Sequence, residues 1–203
     1  YGDILNPNDI KNVLKTNFDI IFHFAALKAA GESMINPNIY SQVNLIGSIN
    51  ILNEMVNSNI KNIIFSSSAA VYGIPKYLPI DEKHNLNPIN FYGFSKLEAE
   101  QIIANNNLKY TILRTSLVYG KNDNKFNFAT WVKGKLENGE QLHIVDDQYR
   151  TATFVDDLVD AILKVIQKKK YGLYHISSGE VLSIYQIVCN IAECYGLDVS
   201  LVN

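Results

Sequence analysis

The chain has 203 residues, of which 47% are hydrophobic and 19% are charged, and its formal net charge is −2 at pH 7. This composition excludes an intrinsically disordered chain, because it provides enough apolar surface for the core of about one globular domain. It predicts neither a targeting segment nor a membrane span, since no apolar run approaches the roughly 18 residues that a span needs. The only basic cluster, at residues 168–170, argues against nucleic acid or an anionic membrane as the main partner.

The first 118 residues alternate strand-like and helix-like segments. Continuous apolar runs bounded by polar residues predict buried parallel strands at 19–25, 62–66 and 110–115. Apolar residues three or four positions apart predict helices at 9–17, 38–58 and 92–106. The apolar stripe of the second helix consists of Ile39, Val43, Ile46, Ile49, Leu52 and Val56. This alternation predicts an α/β fold, a doubly wound parallel sheet of the Rossmann type.

Beyond residue 118 the alternation weakens into a segment rich in Asn, Lys and Phe. We predict a strand at 141–145, a helix at 155–168, a strand at 172–177 and a helix at 183–195. Cys189 and Cys194 point to different faces of the last helix, so we expect no disulfide and a reducing, cytoplasmic setting.

A doubly wound nucleotide-binding fold normally has a glycine-rich phosphate turn after its first strand. The sequence contains neither G-x-G-x-x-G nor G-x-x-G-x-x-G, and it starts at Tyr1 in the middle of a strand-like pattern. We therefore expect the first strand and its glycine loop to lie upstream of Tyr1. We also expect these 203 residues alone to bind a dinucleotide weakly.

Tyr92 and Lys96 are four residues apart at the start of a predicted helix, so their side chains share one face. A neighbouring ammonium lowers the pKa of a tyrosine toward working pH, which predicts that Tyr92 is an acid/base group. With 12 Tyr and 16 Lys in the chain, about one such pair is expected by chance. Tyr72 and Lys76 form a second pair, but Pro75 between them disfavours a helix.

Polar and small residues follow two of the predicted strands, at the sheet edge where ligands bind in this fold. Ser68 could bond a substrate hydroxyl and the Tyr92 phenol, or it could belong to a serine turn that satisfies its own backbone. The run from Phe24 to Lys28 has small residues where a cofactor would cross the sheet, although these could also serve helix–strand packing. We interpret His23 as a core histidine and expect no metal site.

Together these motifs resemble the extended short-chain dehydrogenase/reductase family, in particular its nucleotide-sugar epimerases, dehydratases and reductases. The first half is most similar to UDP-glucose 4-epimerases, through segments 24–33, 66–73 and 92–96 and through Asn44 with Gly47. The resemblance implies that Ser68, Tyr92 and Lys96 form a catalytic triad, and that Ser68 and Tyr92 contact substrate. It implies cofactor contacts from Asp3, Ile4, Phe24, Ala25, Ala26, Leu27, Lys28, Asn44, Ser66, Tyr92, Lys96 and Ser116.

The second half resembles another branch of the family, the dTDP-4-dehydrorhamnose reductases, through segments 112–120 and 146–158. Three residues depart from the epimerase pattern, and they leave the substrate open: Ala70 stands in place of Thr, Ser116 in place of Phe, and Leu117 in place of Asn. The resemblance implies an NAD-binding domain at 1–120 and a small substrate-binding portion at 121–203, with helix 155–168 packing on the former.

The family places an arginine near Arg150 on the nucleotide diphosphate, and a planar guanidinium suits bidentate phosphate binding. The alternative for Arg150 is an ion pair with Asp156 or Asp157. Arg114, the only other arginine, lies at a strand end and is interpreted as structural.

The function that the resemblance implies is NAD-dependent epimerisation of a nucleotide sugar through a transient 4-keto intermediate, with NADP not excluded as the cofactor. Tyr92 would remove the hydroxyl proton and Ser68 would orient the hydroxyl. One alternative is an NAD(P)H-dependent reductase of a 4-keto nucleotide sugar, and another is a non-catalytic sugar-nucleotide-binding protein. The expected partner is the nucleotide-sugar substrate, and a homodimer is compatible with the sequence.

Overall fold

The computed structural model describes residues 1–120 and 127–203, so part of the predicted Asn- and Lys-rich segment, 121–126, lies outside the described residues. The described residues divide into two compact units. The first unit contains Tyr1–Thr115 and Val165–His175, and the second contains Ser116–Lys164 and Ile176–Asn203. The boundary expected after residue 120 and the packing expected of helix 155–168 stay predictions.

The described strands build one larger sheet and two small ones. In chain order they are β1 (Ile21–His23), β2 (Asn62–Ser68), β3 (Lys109–Thr115), β4 (Val118–Tyr119), β5 (Tyr149–Arg150), β6 (Thr153–Phe154), β7 (Gly172–Ile176) and β8 (Leu182–Ser183). The larger sheet has the order β1, β2, β3, β7, and β2 is parallel to both β1 and β3. The prediction of an α/β fold around a parallel sheet is confirmed.

The described α-helices are mostly short. In chain order they are α1 (Pro7–Val13), α2 (Ala30–Ile35), α3 (Pro37–Tyr40), α4 (Gly47–Asn57), α5 (Phe91–Ala104), α6 (Phe128–Glu137), α7 (Val155–Gln167) and α8 (Ile184–Cys194). A π-helical segment, Ser41–Ile46, joins α3 to α4, and 3₁₀ turns cover Ala69–Val71 and Val199–Leu201. None of the helices in the described part of the chain combines the length and apolar character needed to cross a bilayer.

The core of the first unit lies between the sheet and helices α4 and α5. Met55 of α4 and Ile103 of α5 pack with Ile63 and Phe65 of β2, and all four side chains are almost fully buried. Burial of such apolar side chains is the main driving force for folding, at roughly 25 cal/mol per Å². This packing holds α5 against β2.

The buried face predicted for the second helix is wrong. The helix is present from α3 to α4, but Ile46 and Val56 are 45% and 59% exposed, and Ile39 is also exposed. Of the predicted stripe only Leu52 is buried, and the other residues that face the interior are Tyr40, Asn44, Ser48, Ile51 and Met55. The first half of this face is polar, because each buried polar group there finds a hydrogen-bond partner, and apolar periodicity cannot reveal such a face.

The second unit has its own core, formed where α6 and α8 pack together. Val132 and Leu136 of α6 meet Val188 and Ala192 of α8. Capping boxes start both helices, at Asn127 for α6 and at Ser183 for α8. The sequence analysis missed α6, whose four buried or half-buried apolar positions are interrupted by polar residues and Gly134.

The strand predicted at 141–145 is also wrong. Leu142 makes an isolated parallel bridge with Val202, through bonds from Leu142 N to Leu201 O of 2.8 Å and from Asn203 N to Leu142 O of 2.9 Å. In the same unit Cys189 and Cys194 are free, and Cys194 is exposed.

Candidate active site

Three residues implied in catalysis lie at the meeting point of β2 and α5. Ser68 is the last residue of β2, and its Oγ accepts a hydrogen bond of 3.1 Å from Ala70 N in the turn that follows. Tyr92 lies in the first turn of α5, and Lys96 lies one turn later on the same face. The Ser68 hydroxyl lies close enough to the Tyr92 phenol to act on its pKa. Ser68 therefore does both things that the sequence left open: it caps its own turn and it contacts the phenol.

The backbone of Tyr92 is held on both sides. Its N–H donates to Ser33 Oγ at 3.0 Å, and its carbonyl accepts from Ser95 Oγ at 2.8 Å. Ser33 is fully buried and also donates to Ala30 O at 2.6 Å, so it ties α2 to the start of α5. Asn90 caps the helix through its side chain, which accepts from Gly93 N at 2.8 Å. These contacts fix where the phenol can point.

The pKa of Tyr92 is raised, because burial penalises the phenolate, and the hydrogen bond from Ser68 acts in the opposite direction. This differs from the lowered pKa expected from Lys96. The reason is that the Lys96 ammonium bonds to the strand end, where Nζ donates to Ser66 O at 2.8 Å and lies 4.7 Å from the centre of the Phe65 ring. Lys96 therefore shares a helix face with Tyr92, but its ammonium donates its hydrogen bond to β2.

Lys96 is only 3% exposed. Burial lowers its pKa from 10.5 to about 8, and the nearby carboxylate of Glu100 acts against this shift. The ammonium form therefore still predominates at pH 7, although a modest rise in pH would discharge it. A desolvated cation of this kind is typical of a functional site.

Asn44 connects α5 to the segment after β1. Its Oδ1 accepts from Leu27 N at 2.8 Å, and its Nδ2 donates to Leu27 O and to Ser95 Oγ, both at 3.0 Å. The amide is thus fully used by protein partners. Asn44 was expected to line the cofactor path. In the structure its side chain holds the backbone of Leu27, a residue of the segment that would line that path.

The segment implied in cofactor binding, 24–28, follows β1 at the carboxyl edge of the sheet. His23 of β1 pairs with Phe65 of β2, so Phe24 and Ser66 leave neighbouring strands side by side. Phe24, Ala25 and Lys28 are exposed, whereas Ala26 and Leu27 are half-buried. This edge is where ligands bind in parallel α/β sheets.

His23 is buried below this edge. Its Nε2 lies 2.7 Å from Ser48 Oγ, and burial first, then the Lys96 charge, lowers its pKa to about 4. The histidine is therefore neutral at pH 7. Its Nδ1 has no hydrogen-bond partner among the described residues.

The remaining predicted residues do not join this cluster. Asp3 Oδ1 accepts from Leu5 N at 2.8 Å, and Ile4 packs against Gly47, where an added Cβ would lie 2.5 Å from Ile4 Cδ1. Ser116 and Arg150 belong to the second unit. Arg150 is exposed and donates to Tyr149 O at 2.7 Å and to Gln148 Oε1 at 3.0 Å.

The ion pair considered as the alternative for Arg150 is not formed. Among the described residues, no carboxylate lies within 4 Å of its guanidinium, Asp156 and Asp157 included. The side chain is held by neutral oxygens of its own segment, so its charge is not neutralised by a described carboxylate.

The sequence analysis missed four polar residues of this site: Ser33, Ser48, Ser95 and Glu100. A serine in a helix carries no sequence signal of its contacts. Glu100 did carry one, because an acidic residue one turn after a buried lysine faces the same side of the helix.

Comparisons with known proteins identify the family of the chain. The family described as "RmlD substrate binding domain" matches residues 1–203. UDP-glucose 4-epimerase of Lactobacillus helveticus is 31% identical over 98% of this chain and 68% of its own length. A bifunctional UDP-glucose and UDP-xylose 4-epimerase of Pisum sativum is 45% identical over 50% of this chain, a match that spans only 29% of the pea protein.

Solved structures from both enzyme classes share the fold. A dTDP-4-dehydrorhamnose reductase from Bacillus anthracis, in complex with NADP, has a TM-score of 0.87 at 30% identity, covering 97% of this chain and 69% of that one. A UDP-glucose 4-epimerase from Brucella ovis, in complex with NAD, has a TM-score of 0.89 at 29% identity, covering 100% and 70%. Because the family match spans its whole length, the chain belongs to the RmlD substrate-binding domain family, among relatives that include nucleotide-sugar epimerases and dTDP-4-dehydrorhamnose reductases.

Proposed function

We propose that this chain carries the catalytic residues of an NAD-dependent nucleotide-sugar epimerase similar to UDP-glucose 4-epimerases. The observation that supports this most is that Ser68, Tyr92 and Lys96 come together where β2 ends on α5: Ser68 acts on the Tyr92 pKa, and the Lys96 ammonium donates to Ser66 O at 2.8 Å. An acid/base group, a hydroxyl to orient the substrate and a fixed cation are what proton transfer at a sugar hydroxyl requires.

Tyr92 would take the proton of the sugar hydroxyl as the alcohol becomes a ketone, and return it when the ketone is reduced. At neutral pH its raised pKa keeps the phenol protonated, which suits the return step, while the Ser68 hydrogen bond favours the phenolate needed for the first step. Lys96 supplies positive charge close to the phenolate, and Ser68 orients the hydroxyl. NAD, when bound, accepts the hydride and supplies it again.

The residues at the carboxyl edge of β1 and β2 fit such a cofactor. The side chains of Ala25 and Ala26 are small, Phe24 and Ala25 are exposed, and Asn44 fixes the backbone at Leu27. Small side chains and an ordered backbone let a flat ring approach the strand ends closely. In the same proposal Asp3 and Ile4 contact the adenosine end of the cofactor. Arg150 binds the diphosphate of the nucleotide-sugar substrate.

The second candidate is an NAD(P)H-dependent reductase of a 4-keto nucleotide sugar. It is favoured by the segments around Leu117 and Arg150 and by the likeness to the Bacillus anthracis reductase. We rank it second because residues 24–33 and 66–73 would border the nicotinamide, whereas Leu117 and Arg150 would mainly select the substrate. A non-catalytic binding protein ranks third, since Ser68, Tyr92 and Lys96 are all retained.

The test is to incubate the natural polypeptide that contains these residues with UDP-glucose, and separately with a 4-keto dTDP-sugar and NADPH. Sugar isomers are followed by chromatography, and reduced cofactor by its absorbance. We expect UDP-glucose and UDP-galactose to interconvert without net consumption of cofactor. Stoichiometric NADPH consumption with the keto sugar, and no interconversion, would make the reductase the correct function.

A further inference from the structure

Three consecutive serines at the end of β2 face α5. Ser66 accepts through its carbonyl from Lys96 Nζ, Ser67 donates through its hydroxyl to Glu100, and the Ser68 hydroxyl acts to lower the pKa of Tyr92. The three helix residues are spaced four apart and so form one face. Two of them belong to the proposed catalytic set, and Glu100 is the third member of the same face.

Glu100 is 4% exposed, and both of its carboxylate oxygens accept hydrogen bonds. Arg114 of β3 binds it with both ends of its fork, Nε to Oε1 at 3.0 Å and Nη2 to Oε2 at 2.5 Å. Bidentate pairing of this kind is the strong form of a charged hydrogen bond. The carboxylate therefore has a fixed position and orientation one turn below Lys96.

Stability alone does not explain this pair. Burying two charges costs desolvation energy that their attraction only roughly repays, and apolar pairs of similar volume often stabilise a fold as well or better. Arg114 itself needs further partners, since its Nη1 donates to Tyr72 OH at 2.6 Å and its guanidinium stacks on the Tyr72 ring. A buried polar cluster of this size calls for a role that an apolar cluster could not fill.

Lys96 is the charged group that Glu100 can influence. The titratable groups around Lys96 are Tyr92 and Glu100 of its own helix and His23 of β1, which is neutral at pH 7. The β2 residues that it touches, Phe65 and Ser66, carry no charge. Glu100 is thus the one anion among these groups, and its charge opposes the effect of burial on the Lys96 pKa.

Resting on the proposed function, we infer that Glu100 is a positioning residue: held by Arg114 and Ser67, it anchors the end of β2 on α5 and keeps the Lys96 ammonium charged at the strand end, one helical turn after Tyr92. The carboxylate does not touch substrate. It acts through Lys96, by its charge, and through Ser67, by fixing the neighbouring Ser68.

The direct test measures the titration of Lys96 by NMR of lysine labelled at Cε and Nζ, with the signal assigned by its loss in Lys96→Arg. In Glu100→Gln, which keeps the shape but removes the charge, we expect the midpoint to fall by about one pH unit or more, a tenfold change in the proton affinity of Lys96. Glu98→Gln removes a charge from the same helix and should leave the midpoint unchanged. An unchanged midpoint in folded Glu100→Gln would overturn the inference.

Glu100→Gln could fail to fold, since it leaves Arg114 short of a partner. The double variant Glu100→Gln with Arg114→Met removes both charges and keeps the test available. We expect it to fold and still to show the lowered Lys96 midpoint, whereas a purely structural ion pair predicts a restored midpoint. Glu100→Asp, which keeps the charge, should restore most of the shift.

Measurement of turnover tests the role of Glu100 independently. In Glu100→Gln we expect kcat to fall and the alkaline limb of the rate profile to move to lower pH, with KM nearly unchanged. A lowered Lys96 midpoint in a polypeptide that acts on neither sugar would support the coupling and contradict the proposed function. An unaltered Lys96 midpoint together with normal epimerisation would support the proposed function and contradict the coupling between Glu100 and Lys96.

Discussion

Tyr72 and Tyr92 each precede a lysine by four residues, but they lie in different structures and have different partners. Tyr92 and Lys96 are on one face of α5, whereas residues 72–76 follow a 3₁₀ turn and form no helix. Lys96 is buried and Lys76 is exposed, with its backbone N–H donating to His84 Nε2 at 3.0 Å. The same spacing therefore brings two side chains together in one region and separates them in the other.

The two phenols also differ in what they can do. Tyr72 OH accepts from Arg114 and lies 2.5 Å from His175 Nε2, so its polar atom is occupied by structural partners. Among the described residues, no partner of that kind bonds the Tyr92 phenol; the Ser68 hydroxyl acts to lower its pKa, at the sheet edge where ligands bind in this fold. Burial raises the pKa of both, but only Tyr92 has an orienting hydroxyl beside it. The partners of a tyrosine, more than its pKa, separate an acid/base role from a structural one.

The largest effect is expected from Tyr92→Phe. Removing the hydroxyl that transfers the proton should lower kcat about 100- to 10,000-fold while leaving cofactor affinity nearly unchanged. Steady-state kinetics and cofactor titration of the natural polypeptide would measure both. If Tyr72→Phe lowered kcat more, the assignment of the two tyrosines would be reversed.

Tyr72→Phe should instead act on stability. Arg114 Nη1 and His175 Nε2 would each lose a partner in the interior, which should lower the free energy of unfolding by about 2–3 kcal/mol. Urea denaturation gives this value, and turnover per folded molecule should stay unchanged. Tyr77→Phe, which removes an exposed bond to Asp81, is the matched control and should cost far less.

Lys96→Met is expected to stabilise the fold while abolishing activity. A fall in the Lys96 pKa from 10.5 to about 8 means that burying the ammonium destabilises the wild type by about 3 kcal/mol at pH 7. Losing the bond to Ser66 offsets roughly 1 kcal/mol of the stability gained by removing the charge. The net gain in the free energy of unfolding, about 2 kcal/mol, should be complete below pH 8, where Lys96 is protonated in both the folded and the unfolded wild type. It should shrink as pH rises toward 10.5, because the folded lysine loses its proton first.

Urea denaturation of Lys96→Met and the wild type at pH 7 and pH 10 measures this difference. A destabilised variant at pH 7 would mean that the Ser66 bond and the contact with Phe65 outweigh the cost of burying the charge.

The smallest effect is expected from Arg150→Lys, which keeps the charge and loses the fork. If Arg150 binds the diphosphate, KM for the nucleotide sugar should rise about tenfold with a smaller change in kcat. Steady-state kinetics would show it. An unaltered KM would remove Arg150 from the substrate site, and with it one reason for assigning substrate selection to the second half of the chain.

Much of the first unit could be predicted from sequence. Continuous apolar runs located β1, β2 and β3 to within a few residues, since strands of a buried parallel sheet contain long apolar runs. Short elements were missed: α6 has too few apolar positions, and α2 overlaps segment 24–33, which was interpreted only through its resemblance to the epimerases. The interior face of the helix from α3 to α4 was misassigned because two of its residues are polar and have partners distant in sequence: Asn44 bonds Leu27 and Ser95, and Ser48 bonds His23.

The sequence by itself determined the fold class and the residue types of the site, because periodicity and motif order are properties of the chain. Only the tertiary structure decided what those residues contact. It directed Lys96 to Ser66, Asn44 to Leu27 and Ser95, and Glu100 to Arg114. Each of these pairs joins elements 14 or more residues apart. Hydrogen bonds over such separations form only where packing brings the elements together, and no local pattern encodes them.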